Sequence, residues 1–348
     1  MARRIVYDAL VFPVTRDDVR DFKRSSKAAG NDFAARSGGI VGIITFVFAG
    51  IVILFIAGSM MSVGVGAFAN NPSPVSGLFA LFPLIILVVF VVVGVSVFRN
   101  AGSWEKWMRL SRFAAANGLV YSVATSDPTF PGSIFSLGRD RRSLDHVYTK
   151  DGRYLEIGNY RYVTGSGKNQ TTHNWGFMAL SLDRKLPHMV LDSTANNGLF
   201  GGSNLPATFA KEQRLSLEGD FDKYFALYAP RDYERDALYV FTPDLMALLI
   251  DEAAPYDVEI IDDWMFVYSS RPFVAADPAH FQRLFRIADT VGEKTLSQTD
   301  RYADERIGDP AVNLVAPQGA RLKRGFSVGS VIVVVAFVAI WAWSIFAR

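Results

Sequence analysis

Long apolar stretches without charge lie near both ends of the chain, and segments of regular hydrophobic periodicity fill the middle. Between Ser37 and Phe98 there is no charged side chain. That stretch holds two apolar runs, about 40–61 and 78–98, each close to the roughly 20 residues with which a helix crosses about 30 Å of hydrocarbon. Asn70-Asn71-Pro72-Ser73-Pro74 between them is turn chemistry that interrupts a helix, so the two runs are expected as a hairpin. A third run, 326–346, follows Arg321, Lys323 and Arg324 and carries Trp341 and Trp343 near its far end, where an interfacial aromatic belt would lie. Core helices rarely reach this length without a charge or a polar face, so all three runs are expected to span a membrane. Arg20, Lys23, Arg24, Lys27 and Arg36 precede the first run, Arg99, Lys106, Arg109 and Arg112 follow the second, and the hairpin loop has no basic residue. The positive-inside rule then places the N-terminus and residues 99–325 in the cytoplasm and the C-terminus outside, in a multi-pass protein of the plasma membrane.

The middle segment, 100–296, is expected to be a cytoplasmic α+β domain of mainly antiparallel strands. Trp104, Trp107, Met108, Ser111 and Ala115 fall on one helical face, and Asn117-Gly118 supplies a left-handed stop. Residues 154–163 and 175–182 alternate apolar and polar positions as paired strands do, with 165–172 as their hairpin loop and 188–192 as a further short strand. Asp220 is placed to cap a helix carrying Phe221, Tyr224, Phe225 and Tyr228, and 238–241 reads as a strand. Thr242-Pro243-Asp244 opens a helix, 257–261 and 264–268 pair as a hairpin around Asp262-Asp263, and Asp277-Pro278 opens a last helix. Strands and helices are segregated along the chain rather than alternating, which favours α+β over a parallel sheet. Residues 297–325, polar and punctuated by Gly308 and Pro310, read as a tether to the third run. The first 38 residues read as a basic flank; Thr15-x-x-Asp18 within it can form a capping box for a short helix.

Composition narrows the chemistry. The 348 residues are 50% hydrophobic and 20% charged, carry a formal net charge of +2 and include no cysteine. Disulfide scaffolds, cysteine-ligated metal centres and thiol catalysis are excluded, and nothing calls for a cofactor or a nucleic-acid partner. Gly165-Ser-Gly-Lys168 lacks the upstream glycine and the following hydroxyl residue of a phosphate loop, since Tyr162 and Asn169 stand there. Neither Gly-x-Ser-x-Gly nor His-Glu-x-x-His occurs, and Ser133 is a loop serine without a base in view. The four histidines show no i, i+4 pair. The acidic group Asp257, Glu259, Asp262 and Asp263 is the candidate metal or acid–base site, because Asp257 and Glu259 share a strand face by period two. Gly38-x-x-x-Gly42 and Gly325-x-x-x-Gly329 let helices approach closely, which suits self-association.

Residues 217–230, 237–249 and 258–264 (Leu-Glu-Gly-Asp-Phe-Asp-Lys-Tyr, Ala-Leu-Tyr-Val-Phe-Thr-Pro-Asp and Val-Glu-Ile-Ile-Asp-Asp-Trp among them) carry a resemblance. Over about 105–290 the chain resembles a bacterial membrane-protein family catalogued only as a domain of unknown function, with two N-terminal apolar helices before a cytoplasmic domain. That resemblance implies no activity and no site residues. The expectation is an inner-membrane protein whose cytoplasmic domain binds other proteins or senses a state, with the lipid bilayer and membrane or cytoplasmic proteins as partners. The alternatives are a membrane-anchored hydrolytic or cation-dependent enzyme using the 257–263 carboxylates, and an accessory subunit of a larger membrane complex.

Overall fold

The computed structural model describes residues 4–30, 33, 39–70, 83, 85, 86, 88, 90, 104–197, 203–274, 277–309 and 311–325, with backbone alone at 39–47, 64, 67 and 68. Its helices are α1 (Asp8–Val11), α2 (Arg16–Ala28), α3 (Gly39–Asn70), α4 (Trp104–Ala116), α5 (Glu234–Val240), α6 (Pro243–Leu248), α7 (Pro278–Ile287), α8 (Glu293–Thr299) and α9 (Pro317–Ala320). Its strands are β1 (Leu119–Ser126), β2 (Arg139–Thr149), β3 (Leu155–Thr164), β4 (Thr171–Ser193), β5 (Arg214–Leu215), β6 (Phe225–Tyr228) and β7 (Asp257–Ser269). The chain divides into two units, one of residues 12–112 and one of residues 1–11 with 113–348.

In the first unit Thr15 and Asp18 close a capping box on α2: the Asp18 N–H donates to the Thr15 hydroxyl at 3.2 Å, and the Thr15 N–H donates to the Asp18 carboxylate at 3.0 Å. Phe22 stacks on Phe33 at 5.8 Å, and both rings meet Trp104 edge-on. The basic N-terminal segment is therefore an ordered, capped helix where a plain flank was the expectation.

The expectation of three membrane spans is corrected. Among the described residues no helix is long and apolar enough to cross a membrane. The first apolar run lies within α3, but side chains there are described without a break only over 48–63, and the helix runs past the expected end of that run to Asn70, where the expected turn cluster begins. Most of the second run and all of the third lie outside the described residues. The multi-pass plasma-membrane topology drawn from these runs therefore has no described span to rest on.

The second unit is built on β4. All seven strands form one sheet in which every pairing is antiparallel. One edge of β4 carries β3, from Thr164 opposite Thr171 to Leu155 opposite Leu180, and then β6, from Tyr228 opposite Val190 to Phe225 opposite Ser193. The other edge pairs with β7, from Ser269 opposite Gly176 to Val258 opposite Leu191. Residues 188–192 are thus the continuation of a 23-residue strand, and 257–269 is one strand where a hairpin was expected. The reason is local. Asp262 takes a left-handed φ of +53° opposite Leu186, in an irregular stretch of the ladder whose extra residues lie on β4, so β7 kinks there and runs on past a bulge instead of turning.

That bulge reverses the parity of side chains. In β7 Phe266 and Tyr268 share a buried cluster with Ile261, and in β4 Trp175, Phe177 and Ala179 share it with Val190. Odd and even positions therefore meet on one face across the irregularity, and Glu259, two residues from Ile261, points into the same cluster. The loop residues Ile134 and Phe135 and the later segments around Phe209 and Leu322 cover this face. Helices cover the opposite one: the Thr295 hydroxyl on α8 lies 3.9 Å from the Met265 sulfur.

Two short apolar runs fold against their expected type. Phe221–Lys223 is a single 3-10 turn, and Phe225–Tyr228 is a strand lying between β4 and β5. A strand buried in this way shows no alternation, so periodicity misreads it. Residues 238–240 belong to α5, with Ala237 and Val240 buried at helical spacing and Leu238 exposed. Asp277 accepts from the Ala279 N–H at 2.9 Å at the start of α7 and Gly118 has φ +59° after α4, as expected, and Pro243 opens α6, though neither Thr242 nor Asp220 makes a side-chain cap hydrogen bond. The segment expected as a free tether contains the end of α8 and, at 321–325, an extended strap hydrogen-bonded to the sheet unit.

Gly158 on β3 is packed against the irregular stretch of β2 near His146. A methyl group there would run into the His146 Cβ and lie 2.9 Å from its Cα. Gly158→Ala should therefore cost about 1–3 kcal/mol by overpacking. Thermal denaturation checks this, and an unchanged Tm would contradict the packing described.

Candidate functional site

The sheet face lined by Val190 and Ile261 holds polar groups that an apolar core does not call for. His188 and Asp192 come from β4, Asp257 and Glu259 from β7, and all four are buried. Glu259 is fully enclosed, and its carboxylate accepts three hydrogen bonds. His188 Nε2 lies 2.7 Å from Oε1, while the Ser133 N–H at 2.8 Å and the Tyr268 hydroxyl at 2.7 Å reach Oε2. The Leu322 N–H donates to His188 Nδ1 at 3.0 Å. A backbone N–H can only donate, so Nδ1 carries no proton, Nε2 carries it, and the neutral ring donates to an ionised Glu259. Burial alone would raise the Glu259 carboxyl, but the hydrogen bonds from His188, Ser133 and Tyr268 outweigh it and hold the group below the usual range. The Tyr268 hydroxyl is driven well above its ordinary value by burial and by Glu259, so it remains a donor.

This closed arrangement fixes what the cluster can do. Ser133 lies beside a histidine and a glutamate, as in a serine hydrolase, yet both His188 nitrogens are already engaged and none is left to take the serine proton. Glu259, with three donors on it, is equally spent as a base. The other acidic candidates do not join it. Asp257 accepts from the Ser193 N–H at 2.8 Å, Asp262 is clamped by Arg321 through contacts of 3.0 and 2.9 Å, and Asp263 is not hydrogen-bonded to any of them. Among the described residues no group of three or more His, Cys, Asp or Glu side chains could hold a metal ion. The remaining histidines serve locally: His146 lies 2.8 Å from buried Glu156, His173 stacks on Tyr162, and His280 bonds Asp277.

Beside this cluster is a cavity of about 590 Å³ with Asp192 in its wall. Sequence reasoning missed it, although polar His188 and Asp192 at one-face spacing within an apolar strand are its signal. Phe209 and Tyr228, with ring centres 5.4 Å apart, also line it, as do Lys211, Glu212 and Arg324. Asp192 is 4% exposed, and its Oδ1 accepts from the Ser203 hydroxyl at 2.9 Å. Burial raises its carboxyl, with Ser203 and the Arg214 charge pulling the other way. One position beyond the Leu191–Val258 pair stands Asp257, which burial pushes up to about 7 despite the Ser193 N–H and Asn196, with Asp192 adding to the rise. Lys211 and Arg324 are exposed and make no ion pair among the described residues.

The strap forms one side of the cavity and also reaches the Glu259 cluster. The Gly325 N–H donates to Thr208 O at 2.7 Å, the Lys323 N–H to Gln213 Oε1 at 2.9 Å, and the Leu322 N–H to His188. Gly325 thus belongs to an extended strap, and a Cβ on it would come within 2.7 Å of Phe209 O. Of the other small residues expected on helix faces, Gly42 falls where α3 is described as backbone alone, and Gly38 and Gly329 lie outside the described residues.

No family model and no curated protein matches the chain. Among solved structures it is similar to the crystal structure of the mycobacterial trehalose monomycolate transport factor A, TtfA, at 14% identity and a TM-score of 0.35. The match covers 56% of this chain and 92% of that one. A likeness this distant carries nothing over to the chain described here.

Asp257 gives a pH signature. Its folded value lies above its ordinary 3.8, so its ionisation opposes folding. The penalty is absent below about pH 4, grows as pH rises, and is complete above about pH 7. Asp257→Asn should match the wild type near pH 4 and exceed it at pH 8 by at most about 4 kcal/mol. Chemical denaturation across that range checks the sign, and a variant no more stable at pH 8 than at pH 4, relative to wild type, would contradict it.

Proposed function

We propose that the sheet unit is a ligand-sensing module rather than a catalyst, with the cavity at Asp192 as its receptor. The observation that carries this is the position of the strap. Arg324 lines the cavity, and Leu322, two residues earlier, donates its N–H to the His188–Glu259 cluster. Extended backbone over two residues transmits a displacement with little slack. An occupant drawing on Arg324 therefore acts on a hydrogen bond that ends at the buried charge.

The cavity volume lies within the range of about 300–1,000 Å³ usual for small-molecule sites, and its mixture of aromatic walls and few polar groups is of the same kind. His188 and Glu259 next to it are committed to one another, with Tyr268 also on Glu259, and Asp257 is held by the Ser193 N–H, which supports binding over group transfer. Sensing by population shift requires only that the ligand favour one strap arrangement over another.

Thermal-shift measurements on the full chain against amino acids, dicarboxylates, phosphate monoesters and polyols test this reading. At least one compound should raise the wild-type Tm and slow hydrogen exchange at the Leu322 and Lys323 amides, while leaving the Lys211→Ala/Arg324→Ala variant unmoved. No response in the wild type, or the same response in both proteins, would overturn it.

A further inference from the structure

The charge pattern around the cavity narrows the class of ligand, on the reading that the cavity is a receptor. The geometry points to a zwitterion with a primary ammonium group at the Asp192 end and a carboxylate at the Lys211–Arg324 end, such as an amino acid or a short peptide with a free N-terminus.

At the inner end the Arg214 charge acts on Asp192 without forming an ion pair, so among the described residues the carboxyl there has no cation seated on it. Asp192 is buried there with a single hydroxyl donor on Oδ1, no Lys or Arg side chain forms an ion pair with it among the described residues, and buried Asp257 stands on the neighbouring strand. In their ionised form two carboxyl groups in low-dielectric surroundings repel an anion and attract a cation, and a bound cation in turn favours that form. An ammonium group brings three donors and a compact charge, and the faces of Phe209 and Tyr228 add the attraction of aromatic rings for a cation. At the other end Lys211 and Arg324 face Glu212 alone among the charged residues lining the cavity there, leaving a net positive rim. A purely cationic ligand such as a polyamine meets repulsion at that rim, and a purely anionic one meets it at the floor. Only a molecule with both signs satisfies both ends, and the 590 Å³ accommodates an apolar side chain between them.

Isothermal titration of the full chain with the dipeptide Phe-Gly, its N-acetyl form, its C-terminal amide and phenyl phosphate tests the assignment. Phe-Gly should bind, N-acetylation should weaken it by at least about tenfold, and amidation should weaken it several-fold. In Asp192→Asn the penalty for acetylation should vanish, and in Lys211→Ala/Arg324→Ala the penalty for amidation should vanish. The second variant alters exposed side chains, so it reports even if the first folds poorly. Equal binding of Phe-Gly and its acetylated form overturns the zwitterion. Binding of phenyl phosphate instead, lost in Lys211→Ala/Arg324→Ala, also overturns it but leaves the receptor reading standing. Absence of binding by every probe overturns the zwitterion, and the receptor reading falls with it only if the wider thermal-shift panel is silent too.

Discussion

A single carboxylate removed from water organises the sheet unit. Taking an isolated charge into a protein interior is prohibitive unless donors surround it, and Glu259 draws its three from separate parts of the chain: the loop at Ser133, β4 at His188 and its own strand at Tyr268. His188 is oriented in turn by the Leu322 N–H, so the strap is tied in as a fourth segment. None of these segments can move far without leaving a buried polar group unpaired. The hydrogen bonds at this point thus impose a mutual register on elements that are distant in sequence.

The bulge at Asp262 is what brings Glu259 to that place. Without the irregularity, β7 would keep Phe266 and Tyr268 on one face and send Ile261 and Glu259 to the other, away from His188. Asp262 occupies the left-handed backbone region, and its carboxylate is held by Arg321 of the strap. The same five-residue strap, 321–325, therefore fixes the bulge, the histidine and one wall of the Asp192 cavity. The cavity wall and the structural hydrogen bonds share one element here, which is the physical ground for the proposal that the cavity is a sensor.

Much local structure was legible in the sequence and the long-range arrangement was not. Thr15, Asp277, Pro243 and Gly118 act as caps and stops because their chemistry is local. The β3–β4 hairpin follows from the near alternation of apolar and polar residues read on both strands. Phe225–Tyr228 and 238–240 were misread because short apolar runs fit either period and only tertiary pairing decides between them. The pair Asp262-Asp263 carries turn propensity, but a salt bridge from Arg321, about sixty residues away, converts the site to a bulge. Asp257 and Glu259 were marked by their shared face, yet their partners lie on another strand, a loop and the strap, and no sequence pattern links them. Length and apolarity of the terminal runs suggested membrane spans that the described residues do not contain.

The most direct test of the organising role of Glu259 is the stability of Glu259→Gln against wild type as a function of pH. The amide keeps the shape but removes the charge and turns one acceptor into a donor facing donors, so the variant should lose about 3 kcal/mol near pH 7. Because the folded carboxyl lies below its ordinary 4.5, its contribution is present above that pH and is lost as pH falls through the folded value. The gap between the two proteins should therefore close in acid, and a gap that is absent at pH 7, or that persists unchanged in acid, would contradict this view of the structure.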